Sequence, residues 1–139
     1  AGEVTMGEVM TVLPFQNTLS TFTASGQTII DALENGVSQV EEVAGRFPQV
    51  AGISFTWDSS AEPGSRIVEV LVGGQPIDPA ATYGIVTNNF MRGGGDGYKM
   101  FTLATDAYDF GPDLADVLAE YIAENSPANP VVEGRIINR

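Results

Sequence analysis

The chain contains no cysteine and no histidine among its 139 residues, and only six of those residues are lysine or arginine. Without cysteine there is no disulfide and no thiolate metal site, while the compartment stays open. Without histidine the chain lacks the one side chain that titrates near neutrality unaided. It also lacks the commonest nitrogen ligand for zinc, copper or iron. Catalysis here would have to rest on carboxylates alone, so no catalytic residue and no metal ligand is assigned. No apolar run approaches the length of a bilayer span, and the chain opens at Ala1 without a basic and then apolar leader. If the protein is exported, its signal is expected upstream. The few bases face 18 acids, giving a formal charge of −12. Such a surface repels nucleic-acid backbones and anionic membranes and otherwise reads as a solubilising coat.

What is present is core material. Apolar residues make up 43% of the chain against 17% charged, enough for one packed core and one domain over 1–139. Thr5-Met6-Gly7-Glu8 has capping-box spacing and predicts a short helix that Pro14 ends. Leu19 to Ala24 reads as a strand. Ser25 then caps a helix whose Ile29, Ile30, Leu33, Val37 and Val40 recur at helical spacing, and Gly45 is expected to close it. Val50 to Asp58 alternates as a half-buried strand, and so does Arg66 to Val72. The turns Glu62-Pro63-Gly64-Ser65 and Gly73-Gly74 punctuate them. Tyr83 to Thr87 is a short strand, and an irregular stretch then leads to a helix near Pro112. The apolar face of that helix is Leu114, Val117, Leu118, Tyr121 and Ile122. Pro127 and Pro130 stop it, and Val131 to Ile137 is a last extended piece. Helices and strands interleave without a regular βαβ rhythm, so the expected class is α+β with a mixed sheet packed by helices.

The loop from Asn88 to Tyr98 is the most informative segment. Four of the five residues from Gly93 to Gly97 are glycine, a composition that permits positive φ and close backbone approach. The segment lacks the Lys-Ser/Thr end of a P-loop, and Tyr98 stands where a dinucleotide fingerprint needs its third glycine. A turn that merely requires glycine is the plainer alternative. Asp96 inside the glycines, flanked by Phe90 and Tyr98, suits a sugar hydroxyl beneath a stacked ring. Phe47, fixed by Pro48, is a second candidate on an expected strand entrance, with core packing as its alternative. Trp57 and Phe55 are read as core.

Five blocks occur in order: Val12-Leu13-Pro14-Phe15-Gln16-Asn17; Gly26 to Glu34; Gly45 to Ile53; Asn89 to Tyr98; and Val132-Glu133-Gly134-Arg135-Ile136. Together, from about Val4 to Ile136, they resemble the C-terminal domain of the 5'-nucleotidase family. Its members include UDP-sugar hydrolases, 2',3'-cyclic nucleotide phosphodiesterases and ecto-5'-nucleotidases. The resemblance implies a nucleoside-binding domain beside a separate N-terminal metallophosphoesterase domain that carries two divalent metal ions and the catalytic groups. It implies a periplasmic or cell-surface parent. By motif, Phe47 and Phe90 match the aromatics that sandwich the base, and Asp96 matches the carboxylate that binds the ribose hydroxyls. Gly94 and Gly95 belong to the same binding loop, and Gln49 is a weaker candidate for the base edge. Family members also use polar residues in a Gly-rich segment that would lie before Ala1. Pro48 stands where leucine is usual, and Arg92 where a small or polar residue is usual; Arg92 is expected to point to solvent. The expected ligand is a nucleotide or nucleoside, with a non-catalytic binding or surface module as the reading from another class.

Overall fold

A computed structural model describes residues 2–139. Helix α1 (Met6–Val12) starts as expected. Thr5 Oγ1 accepts from the Glu8 amide at 3.3 Å, while the Glu8 carboxylate accepts from the Thr5 amide at 2.7 Å. Strand β1 (Leu19–Ser25) runs directly into α2 (Gly26–Val37), whose first free amides are met by Ser25 Oγ, 3.2 Å from the Thr28 nitrogen. Gly26 is glycine for space: a Cβ there would lie 2.2 Å from the carbonyl oxygen of Asp78.

The hairpin β2 (Ile53–Trp57)–β3 (Ile67–Val72) follows. Its connection includes a turn in which the Ser65 amide donates to the Glu62 carbonyl at 3.0 Å. Gly64 supplies the positive φ of 91° that this turn needs. Gly73 and Gly74, at φ 56° and 81°, turn β3 into the two-residue β4 (Gln75–Pro76). Next comes β5 (Thr82–Asn88), then the short helix α3 (Asn89–Arg92), two 3₁₀ turns (Gly95–Gly97 and Lys99–Leu103) and β6 (Thr105–Tyr108). Helix α4 (Leu114–Glu124), capped by Asp113, and β7 (Ile136–Asn138) complete the order.

The class is α+β, with the strands divided between two sheets. One is antiparallel, in the order β5-β1-β6, with β1 and β5 in register from Leu19↔Asn88 to Ser25↔Thr82. The other, β4-β3-β2-β7, is mixed, because β7 runs parallel to β2. Helix α2 serves both. Its Ile29, Leu33 and Val37 bury against Phe55, Trp57 and Val70, while Ala32 joins Phe22, Tyr98 and Phe101 in a second cluster. That double burial fixes α2 as the frame against which the loops are set.

Several elements differ from the sequence reading, among them a short helix α3 inside the expected Asn88–Tyr98 loop and a β7 that begins only at Ile136. Helix α2 stops at Val37, where the Ser38 amide and hydroxyl turn back to the Asn35 carbonyl, so Val40 packs on the core from a turn. Strand β2 begins at Ile53, leaving Phe47 in a loop and not at a strand entrance. Strand β6 was not anticipated; all four of its residues are exposed, so it carries no alternation to read. Among the described residues, no helix is long and apolar enough to cross a membrane.

Candidate functional site

The end of β5 is held before the glycines begin. Asn88 Oδ1 accepts from the Met91 amide at 2.8 Å, capping α3. Asn89 bonds Thr18 twice, its amide donating to the Thr18 carbonyl at 3.0 Å and its Oδ1 accepting from the Thr18 amide at 3.1 Å. From this anchor the chain enters left-handed backbone at Gly94 (φ 91°), Asp96 (φ 52°) and Gly97 (φ 83°). Aspartate is one of the few residues with a side chain that visits this region routinely. Tyr98 then turns inward, 2% exposed, with its ring stacked on Phe101 at 5.4 Å and 14°. Burial, with a smaller contribution from the Asp96 charge and against the pull of Arg46, pushes the Tyr98 phenol up to about 12.

The glycines differ in purpose. A Cβ on Gly95 would lie 2.5 Å from Cε1 and Cζ of Phe90 and 2.6 Å from its Cδ1, so Gly95 is the seat of that ring. Gly94 is required for its φ, and a Cβ there would meet Thr102 Cγ2 at 3.2 Å. Neither glycine lines the two cavities that flank the loop.

Those cavities, of 370 and 600 Å³, share the wall formed by Gly45, Asn88, Met91, Asp96 and Leu114. Phe47 and Gln49 line the smaller, Phe90 the larger. Phe47 is half-buried, set edge-on to Trp57 at 6.1 Å, while Phe90 is 51% exposed. Asp96 lies on the common wall, exposed, and its carboxylate has no hydrogen-bond or ion-pair partner among the described residues. The arrangement thus offers two aromatic faces on adjoining hollows with a free acceptor between them. It can stack a flat ring and accept hydrogen bonds from hydroxyls.

Arg92 is corrected by the structure. Its side chain is 15% exposed, not solvated; the guanidinium lies over the Phe22 ring at 5.9 Å, and its Nε sits 3.8 Å from Asp109 Oδ1. Nε itself is buried without a hydrogen bond. The partners come from β1 and the segment after β6, contacts that no local pattern announces. Phe15 and Asn17 also line the larger cavity, and nothing local in the Val12–Asn17 block marks them as lining residues. No group of three or more acid, histidine or cysteine side chains among the described residues is placed to hold a metal ion.

The fold is an α+β module with two adjoining hollows beside a glycine-rich loop. Residues 1–103 match the family model described as "5'-nucleotidase, C-terminal domain", and the chain belongs to that family. It is 42% identical over 141 residues to the trifunctional nucleotide phosphoesterase protein YfkN of Bacillus subtilis, covering 97% of this chain and 10% of that protein. It is 32% identical to a human 5'-nucleotidase, of which it spans 25%. The crystal structure of a 5'-nucleotidase precursor from Thermus thermophilus superposes with a TM-score of 0.94 at 42% identity, over 97% of this chain and 28% of that one. The chain therefore spans between a tenth and just over a quarter of the length of these relatives.

Proposed function

We propose that this chain is the substrate-recognition domain of a metal-dependent nucleotide phosphohydrolase of 5'-nucleotidase type. Phe47 and Phe90 clamp the base, Asp96 accepts hydrogen bonds from the ribose hydroxyls, and Gln49 meets the base edge. Hydrolysis belongs to an N-terminal metallophosphoesterase domain of the same polypeptide, with two divalent metal ions, in a periplasmic or cell-surface protein. The observation that carries this reading is the unpartnered Asp96 carboxylate on the wall common to the Phe47 and Phe90 hollows. An exposed carboxylate with no partner in the fold is available to a ligand's donors. The relative named as trifunctional favours breadth in the phosphoester cleaved. UDP-sugars keep both ribose hydroxyls free and fit the whole clamp, whereas a 2',3'-cyclic nucleotide, with both of those oxygens esterified, would use the stacking rings without the Asp96 bonds.

Steady-state kinetics of the full-length protein on AMP and on p-nitrophenyl phosphate test the clamp. Phe47→Ala and Phe90→Ala should each raise KM for AMP by an amount equivalent to about 1–3 kcal/mol of lost stacking. Asp96→Asn should weaken ribose-bearing substrates by about 1.5–3 kcal/mol, the range for a charge-assisted hydrogen bond. The aryl phosphate cannot span the clamp and should be much less affected. Equal losses on both substrates would make the rings mere core residues.

A further inference from the structure

The clamp requires the Phe47 segment and the Asp96 loop to keep one spacing, yet they come from different parts of the chain. We propose that the last turn of α2 sets that spacing. Asn35, with Arg46 and Tyr98, forms a set of positioning residues that lock both loops to one helix end and thereby determine nucleoside affinity. This inference rests on the clamp reading above.

Asn35 uses both ends of its carboxamide. Nδ2 donates to the backbone carbonyl of Asp96 at 3.0 Å, and Oδ1 accepts from Arg46 Nη1 at 3.3 Å. A guanidinium only donates and a carbonyl only accepts, so the network admits one orientation of the amide. Arg46 is tied from the other side, where the Tyr98 hydroxyl donates to its carbonyl at 2.6 Å. Its Nη1 also reaches Ser38 Oγ at 3.5 Å, and that hydroxyl donates to the Asn35 carbonyl at 2.7 Å. Arg46, just before Phe47, and Asp96 thus meet on the Asn35 side chain, and Tyr98 joins them through the Arg46 carbonyl.

Steric closure supports the same junction. A Cβ on Gly36 would stand 2.6 Å from Pro48 Cδ and 3.1 Å from the Tyr98 hydroxyl. A Cβ on Gly97 would stand 2.5 Å from Asn35 Oδ1 and 3.2 Å from Arg46 Nη1. Glycine on each approach lets three backbones close without an intervening side chain. Asp96 gains from such a hold: aspartate tolerates the left-handed region better than most residues, but a φ of 52° still costs a residue with a Cβ more than it costs glycine. Bonding the Asp96 carbonyl fixes the strained residue from behind and leaves its carboxylate free for the ligand.

The test uses the full-length protein with AMP and p-nitrophenyl phosphate. Asn35→Ala removes both bonds. Asn35→Asp keeps an acceptor for Arg46 but sets an oxygen against the Asp96 carbonyl. Tyr98→Phe keeps the ring on Phe101 and deletes the hydroxyl. Tyr98→Phe should raise KM for AMP by about 2- to 12-fold, the loss expected for one typical hydrogen bond, and the Asn35 variants by at least as much, with kcat and both aryl-phosphate parameters unchanged. Hydrogen exchange should quicken in residues 45–49 and 94–98 of Asn35→Ala while β1 and β2 keep their protection. Wild-type KM for AMP in these variants, beside raised KM in Phe47→Ala and Phe90→Ala, would overturn the inference and spare the clamp. Uniformly faster exchange with kcat lowered on both substrates would reduce Asn35 to general support and also overturn it. Phe variants without effect on AMP would remove the clamp and the affinity role together. The exchange pattern then still decides whether Asn35 locks the two loops.

Discussion

Gly95→Ala isolates what the glycine loop does for Phe90. The new Cβ would sit 2.5 Å from two carbons of the Phe90 ring, a separation real Cβ atoms do not adopt, so the ring must leave its seat. Phe90 is half exposed and can swing outward without opening the core. Gly95 lacks the positive φ of its neighbour, so the alanine adds no left-handed strain of its own. The expected damage is therefore the loss of one stacking face, about 1–3 kcal/mol or roughly 5- to 150-fold in KM for AMP, with thermal stability little changed. Gly94→Ala is the contrast. At φ 91° it incurs left-handed strain of about 1–2 kcal/mol, and the loop should lose stability first. The decisive assay is a double-mutant cycle in the full-length protein. In the Phe90→Ala background Gly95→Ala should add nothing to KM, because the ring it displaces is already gone. Additive effects of Gly95→Ala and Phe90→Ala, or equal loss on p-nitrophenyl phosphate, would refute the seat.

Two further outcomes follow from burial. Arg92→Ala should lower the thermal midpoint while leaving the ratio of AMP to aryl-phosphate KM unchanged, since Arg92 packs on Phe22 and faces Asp109 and lines neither cavity; a selective rise in KM for AMP would show that it serves the ligand. Tyr98 has a folded-state pKa raised from 10.0 to about 12, so the native state holds its proton longer than the unfolded chain. Its contribution is complete below pH 10 and is lost as pH rises through about 12. Alkaline denaturation should therefore have a shallower slope in Tyr98→Phe over that window, and an identical slope would place the phenol in solvent.

The parts of the fold that could be read from sequence are those whose cause is local. The Thr5–Glu8 box, the Ser25 cap and the Gly73-Gly74 turn each satisfy backbone groups within a few residues, and each stands where it was expected. The end of α2 was misread because Val40 continues the apolar period, while the stop depends on Ser38 turning back to Asn35. Strand β6 is exposed along its length and exists through pairing with β1, a partner far away in sequence. The site divides in the same way. Phe47, Phe90 and Asp96 stand out by type and spacing, but Asn35 inside a helix carries no such mark. Its importance is visible only once α2, the Arg46 segment and the Asp96 loop share a corner. Arg92 was misjudged for a related reason: arginine is usually exposed, and the ring and carboxylate that hold it lie on other elements.

The charge around the cavities bears on how a nucleotide could lie in them. Arg46 is the one base among the residues lining the two hollows, and its guanidinium is already engaged by Asn35 and Ser38. Asp96 and Asp113 line the larger hollow, and Asp113 is occupied as the cap of α4. A dianionic phosphate placed there would meet carboxylates without a free cation, on a chain of net charge −12. The uncharged end of the ligand meets no such penalty, since rings stack on Phe47 or Phe90 and hydroxyls donate to Asp96. On the proposed reading, the acidic surface therefore orients the nucleotide as well as keeping the domain soluble. On that reading the hollows hold the nucleoside and leave the phosphoester outside them. Binding energy gathered on the nucleoside then serves to position a bond that this chain does not touch.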